Sequence, residues 1–383
     1  MNNIPCDIPH LKEIDKIREM AQEVYRRTNI PVYDISHWNC GKQYKDLLLK
    51  KYINYAKIDA LDYHYSYEYS DSIRKSVIYR LLNTPIDSYD CVFIHTATAA
   101  ICCISDYIKK NGYKKICVLE PAYFSISSCL LSFGLNIQVE HVVLDNNNHC
   151  IFPYDEIVYG KYDVVWITSP VFSTGIYYTQ DQIQYINRLI QNGILLIIDE
   201  SAASPNHLLT PQLLPADNII SLFSPHKYLS INSIKFAVIM CSKIIKKYFE
   251  DWIDVFSGSL PSSACAAIEH FLSPNYIECL NLHDEFIDKN ITIVKELCTL
   301  FPDNFYNGLA STYITVQNRT IPYMATLKDL DLFKLMQHTH ISFVPGFING
   351  FSKQWYFCYR INLTHDSEMI KSHLGRLFNY LSI

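Results

Sequence analysis

Between residues 91 and 241, short apolar runs rich in β-branched residues alternate with longer amphipathic stretches, and this alternation leaves the chain little choice but βαβ units on a largely parallel sheet. Seven strands are predicted: Cys91–His95, Lys115–Leu119, Val139–Leu144, Val164–Thr168, Ile194–Asp199, Ile219–Phe223 and Phe236–Cys241. Each run is apolar throughout, as in strands covered on both faces. Ala99–Lys110 and Thr179–Gln191 carry the helical period that would cover them. The 383 residues, 49% of them hydrophobic, suffice for a large core. The fold class is therefore α/β, a mainly parallel seven-stranded sheet sandwiched by helices, with a smaller α+β domain.

Three regions follow from this pattern. Residues 1–45 form an N-terminal arm with a charged amphipathic helix, Lys12–Arg27, too small to fold alone. Residues 46–275 form the large domain, in which Asn146–Asn148 reads as a turn. Residues 276–383 form the small domain, completed by the arm. It is predicted to hold a long helix, Cys279–Leu300, strand-like stretches at Leu309–Val316, His340–Val344 and Trp355–Leu363, and a final helix, Ser367–Leu381.

Composition removes several function classes. Thirty-three Lys and Arg against 38 Asp and Glu give a formal charge of -5, without the basic excess of a general nucleic-acid binder. No apolar run approaches the roughly 18 residues of a membrane span, and Met1–Lys12 lacks the pattern of a secretory signal, so a cytoplasmic protein is expected. The 13 cysteines are odd in number and scattered, which reads as reduced, mostly buried thiols. There is no C-x-x-C or H-E-x-x-H, and His338 and His340 read as polar side chains facing solvent, so no metal is expected.

Ligands of open parallel sheets bind outside the carboxyl ends of the strands. Three such ends carry chemistry: Asp199–Glu200, Ser224–Pro225–His226–Lys227, and the segment from Ser169 to Gly175. Singly, an acid closing a strand can be a helix cap and a lysine after one a solvated side chain. In this order and spacing, over roughly residues 30 to 380, the chain resembles the fold type I pyridoxal-phosphate enzymes, most closely the class I/II aminotransferases. Their P-x-N-P-T-G, D-E-x-Y and S-x-x-K segments and a late arginine have positional counterparts here.

The resemblance implies pyridoxal 5'-phosphate as cofactor, held as a Schiff base by Lys227, with Asp199 keeping the pyridinium nitrogen protonated so that the ring acts as an electron sink. It implies that Tyr123, in Pro121–Ala122–Tyr123, stacks on the ring. Thr96, Ala97 and Thr98 would hold the phosphate at a helix N-terminus. Ser224 and Lys235 would join them, Lys235 replacing the family's arginine and giving up its planar fork. Arg360 would grip the substrate α-carboxylate. Tyr65 would reach into a partner's site, which implies a homodimer with shared active sites and amino-acid and 2-oxo-acid substrates.

Two positions depart from the family. Phe172 stands where the family has the asparagine, and Ala202 where it has the tyrosine, that donate to the cofactor's phenolic oxygen. Either other residues compensate, with His226, Ser173 and His207 near enough in sequence to be considered, or the internal Schiff base stays protonated to higher pH. The departures keep a second reading open: a decarboxylase, lyase or cyclase on the same fold. A non-catalytic pyridoxal-phosphate-binding sensor, as in regulators with an aminotransferase-like domain, is a minor alternative: those carry a helix-turn-helix region in front, and here about 45 residues precede the large domain, with no basic recognition helix evident. A nicotinamide dehydrogenase would need G-x-G-x-x-G, and His95–Ala100 contains no glycine. The 29 tyrosines allow an aromatic substrate pocket, although a compositional bias explains them as well.

Overall fold

A computed structural model of the chain describes residues 9–36, 39–52, 69–83, 88–144, 150–172, 174–300, 320–323, 331–351 and 359–381. All seven strands form one sheet, in the spatial order Tyr89–Ile94, Ala237–Ser242, Ile219–Phe223, Leu195–Glu200, Val164–Thr168, Ile116–Glu120, Ile137–His141. Only Ala237–Ser242 runs antiparallel to its neighbours.

Alternate residues of each strand feed opposite layers. Val164 and Trp166 pack with Ile101, Ile104 and Ile108 of the helix Ala97–Lys110, while Val165 and Ile167 pack with Ile183, Ile186 and Leu189 of the helix Gln180–Gln191. Burying aliphatic side chains on both faces, at about 1.5–3 kcal/mol each, makes the centre of the sheet the rigid platform of the molecule.

The edge strand differs from its expectation. Ile137–His141 is partly exposed, with Val139 37% accessible, because no strand among the described residues pairs with its outer side. The expected run continues into a separate ribbon, Val143–Leu144 against Cys150–Ile151. The turn expected at Asn146–Asn148 lies outside the described residues.

The N-terminal arm joins the C-terminal elements. The helix Pro9–Thr28 sets Ile17 and Val24 against Met336 and Ile348, and Tyr33–Asp34 pairs in parallel with Ile341–Ser342. Of the expected stretch His340–Val344, only Ile341–Ser342 forms a strand. The strand Tyr359–Asn362 pairs antiparallel with Thr320–Tyr323, and Ile35 O accepts from Asn362 N at 2.9 Å. The long helix spans Pro274–Leu300 and the last one Ser367–Leu381. The stretch expected at Leu309–Val316 lies outside the described residues.

Candidate active site

Register brings the chemical segments together. Asp199 is level with Thr168 and Leu222, so it ends its strand beside the turn that follows Phe223. The reversed strand begins where its neighbours end: Ala237 is opposite Ile94, and Val238 opposite Phe223. Lys235, two residues before it, therefore lies at the same end of the sheet as the turn at residues 95–98 and Ser224. These segments enclose a cavity of about 270 Å³ lined by Thr96, Ala97, Thr98, Ile101, Tyr123, Asp199, Ser201, Ser224, Lys227, Asn232 and Lys235.

Lys227 sits in the short helix Pro225–Tyr228, started by a proline whose missing N–H costs nothing at a first helical position. Ser230, at φ +58°, closes the turn, and Ile231 N donates back to His226 O at 3.0 Å. The turn is held from outside by three tyrosine hydroxyls. Tyr276 donates to Pro225 O (3.0 Å), Tyr228 to Asp284 Oδ1 (2.9 Å) and Tyr44 to Leu229 O (2.8 Å). With its one proton so engaged, Tyr44 accepts from His283 Nδ1 at 2.6 Å. Lys227 Nζ lies over the Tyr123 ring, 5.3 Å from its centroid.

Asp199 is buried, and its Oδ1 accepts from both the backbone N–H (2.9 Å) and the hydroxyl of Ser201. The neighbouring Glu200 serves the fold instead. It is buried and accepts from Leu209 N, Thr210 N and Thr210 Oγ1, and burial raises its pKa to about 7 against the pull of those bonds.

At the other end of the cavity, Thr96 caps the helix Ala97–Lys110 by accepting from Ala99 N at 3.1 Å. Ala97 and Thr98 occupy its first turn, where backbone N–H groups lack intrahelical partners and favour an anion. The Ser224 hydroxyl donates to Phe236 O at 3.2 Å.

Arg360 does not line this cavity. It is buried on the strand Tyr359–Asn362 with Asp34 and Tyr123 in electrostatic reach. Burial lowers its pKa to about 10, opposed by those two groups, so it stays cationic at neutral pH. Phe172 is buried with its ring centroid 6.0 Å from that of Tyr123, and Ala202 is half-buried. Tyr65 and Ser173 lie outside the described residues.

His226 is a correction to the compensating role considered for it. Its ring lies in the core against Phe236 and Tyr276, with Nε2 3.0 Å from His270 Nδ1. Successive helical side chains diverge by about 100°, so a neighbour of Lys227 faces elsewhere. His207 is exposed and rests on Tyr177.

Burial drives His226 well below the ordinary histidine value and His270 to about 4. The unfolded chain protonates His270 near pH 6.5, whereas the folded protein keeps it neutral to about pH 4. This contribution is therefore complete above pH 6.5 and is lost as pH falls toward 4, by about 2–3 kcal/mol. Urea midpoints at pH 7 and pH 5 should differ more in the wild type than in His270→Gln.

Sequence reasoning missed Ser201, Ile101 and Asn232. Ser201 had a signal, a hydroxyl two residues after a strand-ending aspartate, where Asx turns form. Among the described residues, no group of three or more His, Cys, Asp or Glu is placed to hold a metal ion, and no helix is long and apolar enough to cross a membrane. A larger cleft of about 600 Å³ contains Lys75 and Asp90, but these are paired, Lys75 with Asp71 (2.7 Å) and Asp90 with Arg74 (3.0 Å).

The architecture is α/β, with a mainly parallel central sheet between helices. No protein-family model and no curated protein matches the chain. Solved structures match along nearly all of it. An aspartate aminotransferase of Thermotoga maritima superposes at TM-score 0.75 with 14% identity, covering 100% of both chains. YbdL of Escherichia coli, described as having a methionine aminotransferase function, gives 0.70 at 13% identity, covering 95% of this chain and 96% of its own. A PLP-bound protein of Clostridium difficile 630 gives 0.71 at 16% identity, with the same coverage. At such identities the likeness establishes the fold.

Proposed function

We propose that the protein is a pyridoxal-phosphate-dependent aminotransferase acting on an α-amino acid, with a 2-oxo acid as acceptor. The observation that carries this reading is the Lys227 amine over the Tyr123 ring, inside a cavity with the buried Asp199 at its wall. The residues present fit the cofactor. There is a primary amine for an aldehyde, an aromatic face for a planar ring, an acid for a ring nitrogen, and a helix N-terminus with Lys235 for a phosphate.

When bound, pyridoxal phosphate supplies an aldehyde and an electron-withdrawing ring. The chain's residues do the rest. Asp199, its carboxylate oriented by Ser201, would hold a proton on the ring nitrogen of the bound group. Lys227, with its amine free, would take the proton from the substrate α-carbon. Arg360, which has Tyr123 of the cavity wall in electrostatic reach, would hold the α-carboxylate at the cavity's edge and thereby fix which bond faces the base. Arg360→Ala should lower kcat/KM for the amino acid about a hundredfold, mostly through KM, whereas the cofactor absorbance persists.

A second reading, a decarboxylase, lyase or cyclase on the same fold, is favoured by Phe172 and Ala202 standing where donors to the phenolic oxygen are lost. Product analysis with amino-acid panels separates the two: a 2-oxo acid formed together with a new amino acid supports transamination, and carbon dioxide or an eliminated fragment contradicts it. We further propose a homodimer to which Tyr65 is contributed across the interface, and domains divided at residues 45 and 275. The molar mass in solution tests the dimer.

A further inference from the structure

We propose that the side-chain amide of Asn232 is a phosphate ligand of this cavity; the inference rests on the cofactor reading above. The phosphate end is defined by three strand ends in register. Ile94 leads to Thr96–Thr98, Phe223 leads to Ser224, and Ala237, opposite Ile94 in the reversed strand, is preceded by Lys235. All of these residues line one cavity.

A phosphate dianion offers three terminal oxygens, each able to accept more than one hydrogen bond. The side-chain donors already identified cover them thinly. Ser224 has one hydroxyl proton, and it is directed to Phe236 O. Lys235 brings a point charge without the planar fork of an arginine. Thr96 accepts from Ala99 N and keeps one hydroxyl proton, and Thr98 brings one more.

Asn232 stands three residues before Lys235, on the turn that leaves Lys227, and lines the same cavity. Its amide brings two N–H donors on a neutral group. It also walls a second cavity of about 350 Å³ together with Asn39, Cys40 and Tyr44. A side chain that only filled the turn would have no reason to discriminate between phosphorylated and unphosphorylated forms of one ring.

That discrimination is the test. Dissociation constants for pyridoxal phosphate and for pyridoxal are measured on apoprotein of the wild type, Asn232→Ala and Asn232→Asp, with circular dichroism confirming the fold. The preference for the phosphorylated form should fall about tenfold in Asn232→Ala and further in Asn232→Asp, where a carboxylate faces the phosphate. Affinity for pyridoxal should stay within about twofold. An unchanged preference in both variants, or equal weakening of both ligands, overturns the assignment. A wild type that binds neither ligand overturns the cofactor reading and this inference with it.

Discussion

Lys227→Ala should lose the visible absorbance of the cofactor-loaded protein and lower turnover by more than about a thousandfold, because one amine both joins the aldehyde and moves the α-proton. The fold should survive. Lys227 is half-buried, and the substitution leaves in place the hydrogen bonds of Tyr44, Tyr228 and Tyr276 that hold the turn around it. Thermal unfolding of the variant close to that of the wild-type apoprotein, together with lost absorbance, separates a chemical role from a structural one. Retained turnover would remove Lys227 from the mechanism.

Asp199→Asn should lower turnover about 10²–10³-fold while the protein still takes up cofactor. The substitution keeps an oxygen that can accept from Ser201 N and Oγ, so local packing is retained, and it removes the charge that stabilises a protonated ring nitrogen. Steady-state rates with the best amino donor check the effect. A loss below about threefold would mean that Asp199 serves only to turn the chain after its strand.

The parts of the fold that follow from local pattern were legible in the sequence. Val164–Thr168 and Ile219–Phe223 are short, apolar and β-branched, and only a strand buried on both faces accommodates such runs. Ile137–His141 was less so, because an edge strand faces solvent on one side and its pattern is mixed. Spatial order and the reversal of Ala237–Ser242 depend on contacts between distant segments that no local pattern records.

The candidate site divides in the same way. Asp199 and Lys227 stand at strand ends, where a sequence can be read against the chemistry of parallel sheets. His226, one residue from the lysine, invited the same reading, but helical rotation turns it into the core. Asn232 gave no signal, since in a chain with only 11 glycines an asparagine in a loop reads as a turn residue. Its place on the cavity wall brings together distant segments, which no local pattern records.

The most direct measurement is borohydride reduction of the protein loaded with pyridoxal phosphate, followed by protease digestion and mass spectrometry. A phosphopyridoxyl group on the peptide containing Lys227, and on no other lysine at comparable yield, is the predicted result. Label on Lys235 or on surface lysines, with Lys227 unmodified, would contradict the account.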